Sequence, residues 1–263
     1  ALYELLDDQA GFLRTMNGLG LPGVAVEAQA VSTCGIAGTH MAVTVCGEEE
    51  ESHDEGHSHH AHAHEHVHAH AHDHAHCHDH THEGPGHSHD HGHGGHHHAA
   101  LTDIRGHIAA LPLPQAVRDR AVSVYDRLAA AEARAHGCPV DQVHFHEVGA
   151  LDAVADVAGV CYALSLLKPE RIVVSPVHVG SGMVRCAHGM VPVPAPATAA
   201  LLEGVPCWGG EIQGELCTPT GAALLTEFAD SFGPMPVLSI QKTGYGVGKK
   251  EFGRANCVRA FLG

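Results

Sequence analysis

Apolar positions at Leu2, Leu5, Leu6, Phe12, Leu13 and Met16 recur at helical spacing and predict one amphipathic helix over Ala1–Leu19, stopped by Gly18 and Gly20. A period of two follows. Val24, Val26 and Ala28 alternate on one segment and Met41, Val43 and Val45 on another, which predicts two strands with a turn at Gly35–Gly38. Apolar periodicity then stops from Glu48 to His98. Beyond it, Thr102 can cap a short helix, and Pro114 suits the first turn of a longer one with Val117, Ala121, Val124 and Leu128 on one face. A third helix is expected from about Asp152 to Leu167, and a β-branched strand over Arg171–Val179. Short helices over Pro196–Glu203 and Thr220–Ala229, and strands over Val237–Lys242 and Cys257–Leu262, complete the pattern. Strands alternating with helices predict the α/β class: a partly parallel sheet with flanking helices, interrupted by a disordered His-rich segment. On this reading residues 1–47 are the N-terminal part of the α/β domain, 48–100 the interrupting segment and 101–263 the main α/β domain.

Composition gives the interruption a chemistry. All but seven of the 29 histidines lie between Glu48 and His98, with 11 acids and no Lys or Arg, so most of the net charge of −16 sits there. Phosphate contacts need clustered cations, so a nucleic-acid partner is not expected; the expected partners are cations. The segment buries too little apolar surface to offset the entropy of ordering, and should stay disordered until something binds. Histidine falls at every second residue over His62, His64, His66, His68, His70, His72, His74, His76, His78 and His80, and neutral imidazole ligates nickel, zinc and copper. Which metal is not written in such a run, because the affinity order places copper above nickel at any site of this kind. A solvated linker is the plainer reading; a purification tag does not fit an interior tract mixed with acids.

The nine cysteines are odd in number and irregularly spaced, which does not read as a disulfide framework. The longest nearly apolar run, Val157–Leu167, falls short of the roughly 20 residues that span a bilayer. No signal sequence is recognisable. A soluble cytoplasmic protein without a membrane partner is expected. The chain opens at Ala1 inside a helical pattern and reads as part of a longer protein.

Four segments carry candidate chemistry. In VHFHEVGALDAVAD, Val143–Asp156, an extended backbone points His144 and His146 the same way beside Glu147, and Asp152 and Asp156 share a helical face. These groups can hold a divalent ion or exchange protons; packed histidines before a helix whose Asp152 favours its dipole is the bland reading. In Ser175–Thr198, glycines at 180, 182 and 189 let backbone N–H groups approach an anion, Arg185 adds charge, and Cys186 with His188 can hold a soft metal. Thr218 and Thr220 precede a helix whose N-terminus suits an anion, though capping explains them as well. The run KTGYGVGKK, Lys242–Lys250, fits a phosphate-facing loop or an ordinary turn.

Together HFHEVGALDAVAD, SPVHVGSGMVRCAHGMVPVPAPAT, GELCTPTGAALL and KTGYGVGKKEFGRANCVRAFLG closely resemble the nickel insertion proteins of lactate racemase maturation, the LarC family. The likeness covers nearly everything outside the tract, and four long motifs in order are specific. The resemblance implies insertion of Ni(II) into pyridinium-3,5-bisthiocarboxylic acid mononucleotide, driven by CTP with Mg or Mn, to yield the nickel-pincer cofactor. That is the activity of a nickel chelatase, or metal-inserting lyase. On this reading His144, His146 and Glu147 do metal or base work, and Arg185, His188, Thr218 and Thr220 hold the substrate phosphate. The family's opening strand, with its DCFSGISGDM-like motif, would precede this chain, and its C-terminal domain, associated with CTP and nickel, would follow. A separately encoded C-terminal half is therefore a candidate partner, and activity of the chain alone stays open. The rival readings are a nickel or zinc store or metallochaperone without cofactor chemistry, and a CTP hydrolase; a store needs no Gly-rich, Pro-stiffened pocket.

Overall fold

The computed structural model describes residues 1–49, 99–145, 151–186 and 189–263, with the backbone alone at His144. The tract histidines His62–His80, and His146, Glu147 and His188, lie outside the described residues.

The expected N-terminal helix is two, α1 (Leu2–Leu5) and α2 (Gln9–Asn17). Asp8 parts them: its Oδ1 accepts from Gly11 N at 2.7 Å, and a capping carboxylate starts a helix where periodicity alone would continue one. Strands β1 (Val24–Thr33) and β2 (Ile36–Val45) pair antiparallel along their whole length. Their turn is Cys34–Gly35, at φ 49° and 78°, not the longer Gly35–Gly38 stretch. Paired positive φ values match the twist of the flanking strands, so the hairpin closes in two residues. The pair β3 (Glu48–Glu49) then folds back on the end of β2, and β4 (Ala99–Ala100) leads into α3 (Leu101–Ala110). All four of these strand residues fall inside the stretch that composition assigned to the interruption. Thr102 does not cap α3; the Asp103 carboxylate accepts from Ala100 N at 3.3 Å instead.

Helix α4 (Gln115–His136) starts after Pro114 and ends at Gly137 in the left-handed region, φ 64°. Val117, Ala121, Val124 and Leu128 face the core as the pattern requires. Strand β5 (His144–Phe145) pairs antiparallel with β4, and α5 (Leu151–Leu167) follows. The β-branched stretch Arg171–Val179 is broken at Pro176, which has no N–H to give a ladder, into β6 (Val173–Val174) and β7 (Val177–His178). Next come β8 (Gly180–Ser181), the hairpin of β9 (Met183–Cys186) with β10 (Gly189–Pro192), and α6 (Pro196–Leu201). They are followed by β11 (Cys207–Trp208), β12 (Gly214–Glu215), α7 (Pro219–Phe228) and β13 (Ser231–Phe232). The pairs β7–β11 and β6–β13 are parallel. The last strands are β14 (Lys242–Val247) and β15 (Cys257–Leu262), antiparallel partners. The strand expected from Val237 thus begins only at Lys242, and most of the KTGYGVGKK run is strand. Gly244 and Gly246 admit the backbone of Ala1, where added Cβ atoms would come within 2.2 Å of its O and 2.6 Å of its N.

The main sheet runs β1–β2–β14–β15, antiparallel except where β2 meets β14 in parallel at Thr39 and Gly246. One apolar cluster joins Val26 and Val43 of this sheet to Phe12 and Met16 of α2, Ile104 and Ile108 of α3, Val124 and Leu128 of α4, and Val157 of α5. A smaller cluster of Val177, Val179, Leu202, Cys217 and Ala222 lies under the glycine-rich strands. Among the described residues no helix is long and apolar enough to cross a membrane.

Candidate functional site

Helix α5 carries Asp152 and Asp156 one turn apart. Asp152 is buried, and its Oδ1 accepts from Ala153 N at 2.8 Å. Asp156 keeps a face in solvent but is densely surrounded, and desolvation, with Asp152 and Glu49 adding like charge, pushes its carboxyl up to about 7; His40 opposes the shift. Tyr125, buried beneath the pair, has its phenol pushed up first by burial and then by the same two aspartates.

His40 Nδ1 lies 3.0 Å from Val247 O, and its Nε2 lies 3.0 Å from Glu49 Oε1. Lys249 Nζ reaches the same carboxylate oxygen at 2.8 Å. Burial of Glu49 works to raise its carboxyl, but the Lys249 and His40 hydrogen bonds and charges outweigh it and hold the group low. Glu49 belongs to β3, where the histidine tract leaves the sheet. The tract returns at β4, where Ala99 pairs with Phe145 and Ala100 with His144. Phe145 meets Tyr125 edge-on, ring centroids 6.2 Å apart. Glu49, at the β3 end of the tract, is thus within electrostatic reach of Asp156, while at the β4 end Phe145, the partner of Ala99, meets Tyr125, whose phenol feels both α5 aspartates. Among the described residues no three His, Cys, Asp or Glu side chains converge to hold a metal ion.

The raised Asp156 carboxyl makes a stability prediction. A folded value near 7, above the ordinary ~3.9, means that the folded chain holds this proton more tightly. Stability from Asp156 is therefore greatest below pH ~4 and lost as pH rises through about 7. Asp156→Asn removes the ionisation, so it should raise the thermal midpoint at pH 8 and do so less at pH 5. Equal shifts at the two pH values would mean that the carboxylate is not under strain.

The residues expected at a phosphate are divided. Thr218 is the N-cap of α7, its Oγ1 accepting from Gly221 N at 3.3 Å, and Thr220 is half-buried in the first turn. Arg185 sits on a separate element, the β9–β10 hairpin, opposite Met190. It is exposed and pairs with no acid among the described residues. Gly180, at φ 88°, serves a close crossing rather than an open N–H: a Cβ there would lie 1.9 Å from Gly214 O. Beside it the Cys217 thiol is buried, which pushes it up to about 12, with Glu215 and Cys207 contributing, so in the metal-free chain it stays protonated at neutral pH.

Two features escaped the sequence reading. His178 of β7 stacks on Trp208 of β11, ring centroids 3.7 Å apart and planes within 8°. A few residues further along the chain, Glu211, Ile212 and Gln213 line a cavity of about 430 Å³ together with Phe252 and Arg254. The available signal was the single tryptophan of the chain standing in CWGGEIQG, an aromatic followed at once by two glycines.

The fold is of the mixed α/β class, a mostly antiparallel main sheet with helices and several two-stranded pairs. The chain belongs to the nickel insertion protein family, which it matches over residues 1–263. It is 44% identical over 169 residues to a pyridinium-3,5-bisthiocarboxylic acid mononucleotide nickel insertion protein of Desulfitobacterium hafniense (strain DSM 10664 / DCB-2), covering 64% of this chain and 42% of that protein. A protein of the same description from Nocardioides sp. (strain ATCC BAA-499 / JS614) is 50% identical over 167 residues, 63% of this chain and 42% of the relative. A putative nickel insertion protein of Roseiflexus castenholzii (strain DSM 13941 / HLO8) is 46% identical over 171 residues, 64% and 43%. The aligned part thus spans less than half the length of these relatives. No solved structure matches the chain.

Proposed function

We propose that this chain takes part in inserting Ni(II) into pyridinium-3,5-bisthiocarboxylic acid mononucleotide, in a CTP-dependent step with Mg or Mn, to make the nickel-pincer cofactor of lactate racemase-type enzymes. The observation that carries this reading is the family match over residues 1–263 together with the substrate named in the relatives at 44% and 50% identity. Nickel and the nucleotide are the substrates. The metal-inserting lyase works in the cytoplasm, together with a C-terminal half that supplies the CTP chemistry.

The division of labour follows from the residues. The tract from His62 to His80 gathers nickel on neutral imidazoles, and its two roots deliver the ion beside α5. Formation of a nickel–carbon bond at the pyridinium ring releases the ring proton, which needs a base. His144, His146 and Glu147 serve the ion and that proton, and Asp156, with its carboxyl near 7, is a second acceptor at neutral pH. Arg185, on β9, and Thr218 and Thr220, at the start of α7, stand on separate elements and are not assigned the substrate phosphate together.

The test is to incubate the chain, with and without a C-terminal half, with nickel, CTP, Mg or Mn and the thiocarboxylated nucleotide, and to look for the nickel adduct by mass spectrometry. An adduct that requires CTP is expected. Nickel retained on the protein with no adduct in either mixture would replace this reading with that of a nickel store.

A further inference from the structure

The chain's single tryptophan is 52% exposed, although an indole is among the side chains that gain most from burial. It is nevertheless held rigidly. The parallel pairing of β7 with β11 fixes its backbone, His178 covers one face of the ring, and His178 Nε2 is anchored 2.8 Å from Gly209 O. Only glycine fits at position 210, at φ 73°, because a Cβ there would stand 2.6 Å from His178 Nε2 and 2.8 Å from the indole. A fixed, half-bare aromatic face is a stacking platform.

We propose that this platform and the cavity that begins one residue beyond Gly210 are the seat of the pyridinium mononucleotide, its ring on the open face of Trp208 and its phosphate on Arg254. The inference rests on the substrate class given under Proposed function. A pyridinium ring is an electron-poor cation and an indole the most electron-rich aromatic side chain, so stacking gains both dispersion and cation–π attraction. The cavity, about 430 Å³, is within the range of small-ligand sites. Arg254 Nη2 lies 2.7 Å from Glu211 Oε2, with both side chains well exposed. Such a surface pair is weak, so a phosphate dianion can displace the carboxylate, which is then free for ribose hydroxyls. Gln213 is already oriented, donating from Nε2 to Ser181 Oγ at 3.1 Å, while Ser181 Oγ donates to Ile212 O at 2.8 Å. Phe252 supplies the apolar wall against Gly214.

Because Trp208 is the only tryptophan, its fluorescence reports this site alone. The probe is nicotinic acid mononucleotide, a pyridinium mononucleotide that lacks the sulfurs. Saturable quenching is expected, whereas 1-methylnicotinamide, a pyridinium without ribose phosphate, should quench only linearly, as a collider does. By calorimetry, Trp208→Ala should weaken binding by about tenfold or more and Trp208→Phe by much less. Arg254→Gln should weaken the mononucleotide without changing the response to 1-methylnicotinamide. Linear quenching by the mononucleotide, or binding indifferent to Trp208→Ala in a variant with unchanged circular dichroism, would overturn the proposal. If the insertion assay fails while Trp208-dependent binding is found, this inference stands and the insertion reading falls. If insertion proceeds with an unaltered KM in Trp208→Ala, the reverse holds.

Discussion

Glu227→Ala should cost the fold about 2 kcal/mol, the largest loss expected from any single carboxylate described here. The side chain is 3% exposed on α7 and faces three donors of α4. Arg120 Nη1 donates to its Oε1 at 2.7 Å, Arg127 Nε to its Oε2 at 2.7 Å, and Ser123 Oγ to Oε2 at 2.9 Å. Removing the acid strands all three, but the arginines are about half exposed and can be rehydrated, so the loss falls short of that for a wholly buried pair. Burial works to raise this carboxyl, yet the hydrogen bonds from Arg127, Arg120 and Ser123 outweigh it and hold the group low. A depressed value means that the contribution is present above the ordinary ~4.3 and lost as pH falls through the folded value. Urea midpoints should therefore separate parent and variant at pH 7 and converge in acid. A separation that persists at pH 2.5 would assign the loss to packing instead of charge.

The same α4–α7 junction shows which parts of the fold were legible. Helix α4 announces itself because Val117, Ala121, Val124 and Leu128 repeat over several turns between a proline start and a glycine stop, so local pattern and tertiary burial agree. The β1–β2 hairpin was legible for the same reason, and its turn was misplaced only because four residues of glycine-rich sequence offered two choices. What failed was decided by single contacts. The Asp8 cap divides α1 from α2, and its signal is no stronger than that of any acid near a helix. Gly244 and Gly246 looked like a phosphate loop, but their small size serves the docking of Ala1 on β14. The two-residue parallel strands β6 and β7 leave no periodicity at all. In the site, Asp152 and Asp156 could be read from their i, i+4 spacing. His40, Glu49 and Lys249 could not, because sheet register, not sequence distance, assembles them. Trp208 stood in plain view; only its pairing with His178, thirty residues earlier, shows that it is a platform rather than core.

Replacing residues 51–97 by a Gly/Ser linker should leave the thermal midpoint unchanged and lower nickel insertion only when nickel is scarce. The cut points follow from the structure: Glu49 bonds His40 and Lys249, and Ala99 and Ala100 pair with Phe145 and His144, so a deletion from Glu48 through Ala100 would remove these contacts as well as the tract. The tract's contribution is effective concentration, since ions bound on a tether beside the acid pair rebind there before escaping. His144→Ala with His146→Ala should behave oppositely, abolishing insertion even at saturating nickel, because ligands or bases at the reacting ion have no substitute in bulk metal. Its thermal midpoint should barely move if these imidazoles act on the substrate. A fall of many degrees in the double variant would make them packing groups. Loss of insertion at saturating nickel in the deletion would place the tract inside the reaction site, and nickel supply and nickel insertion would then be one step rather than two.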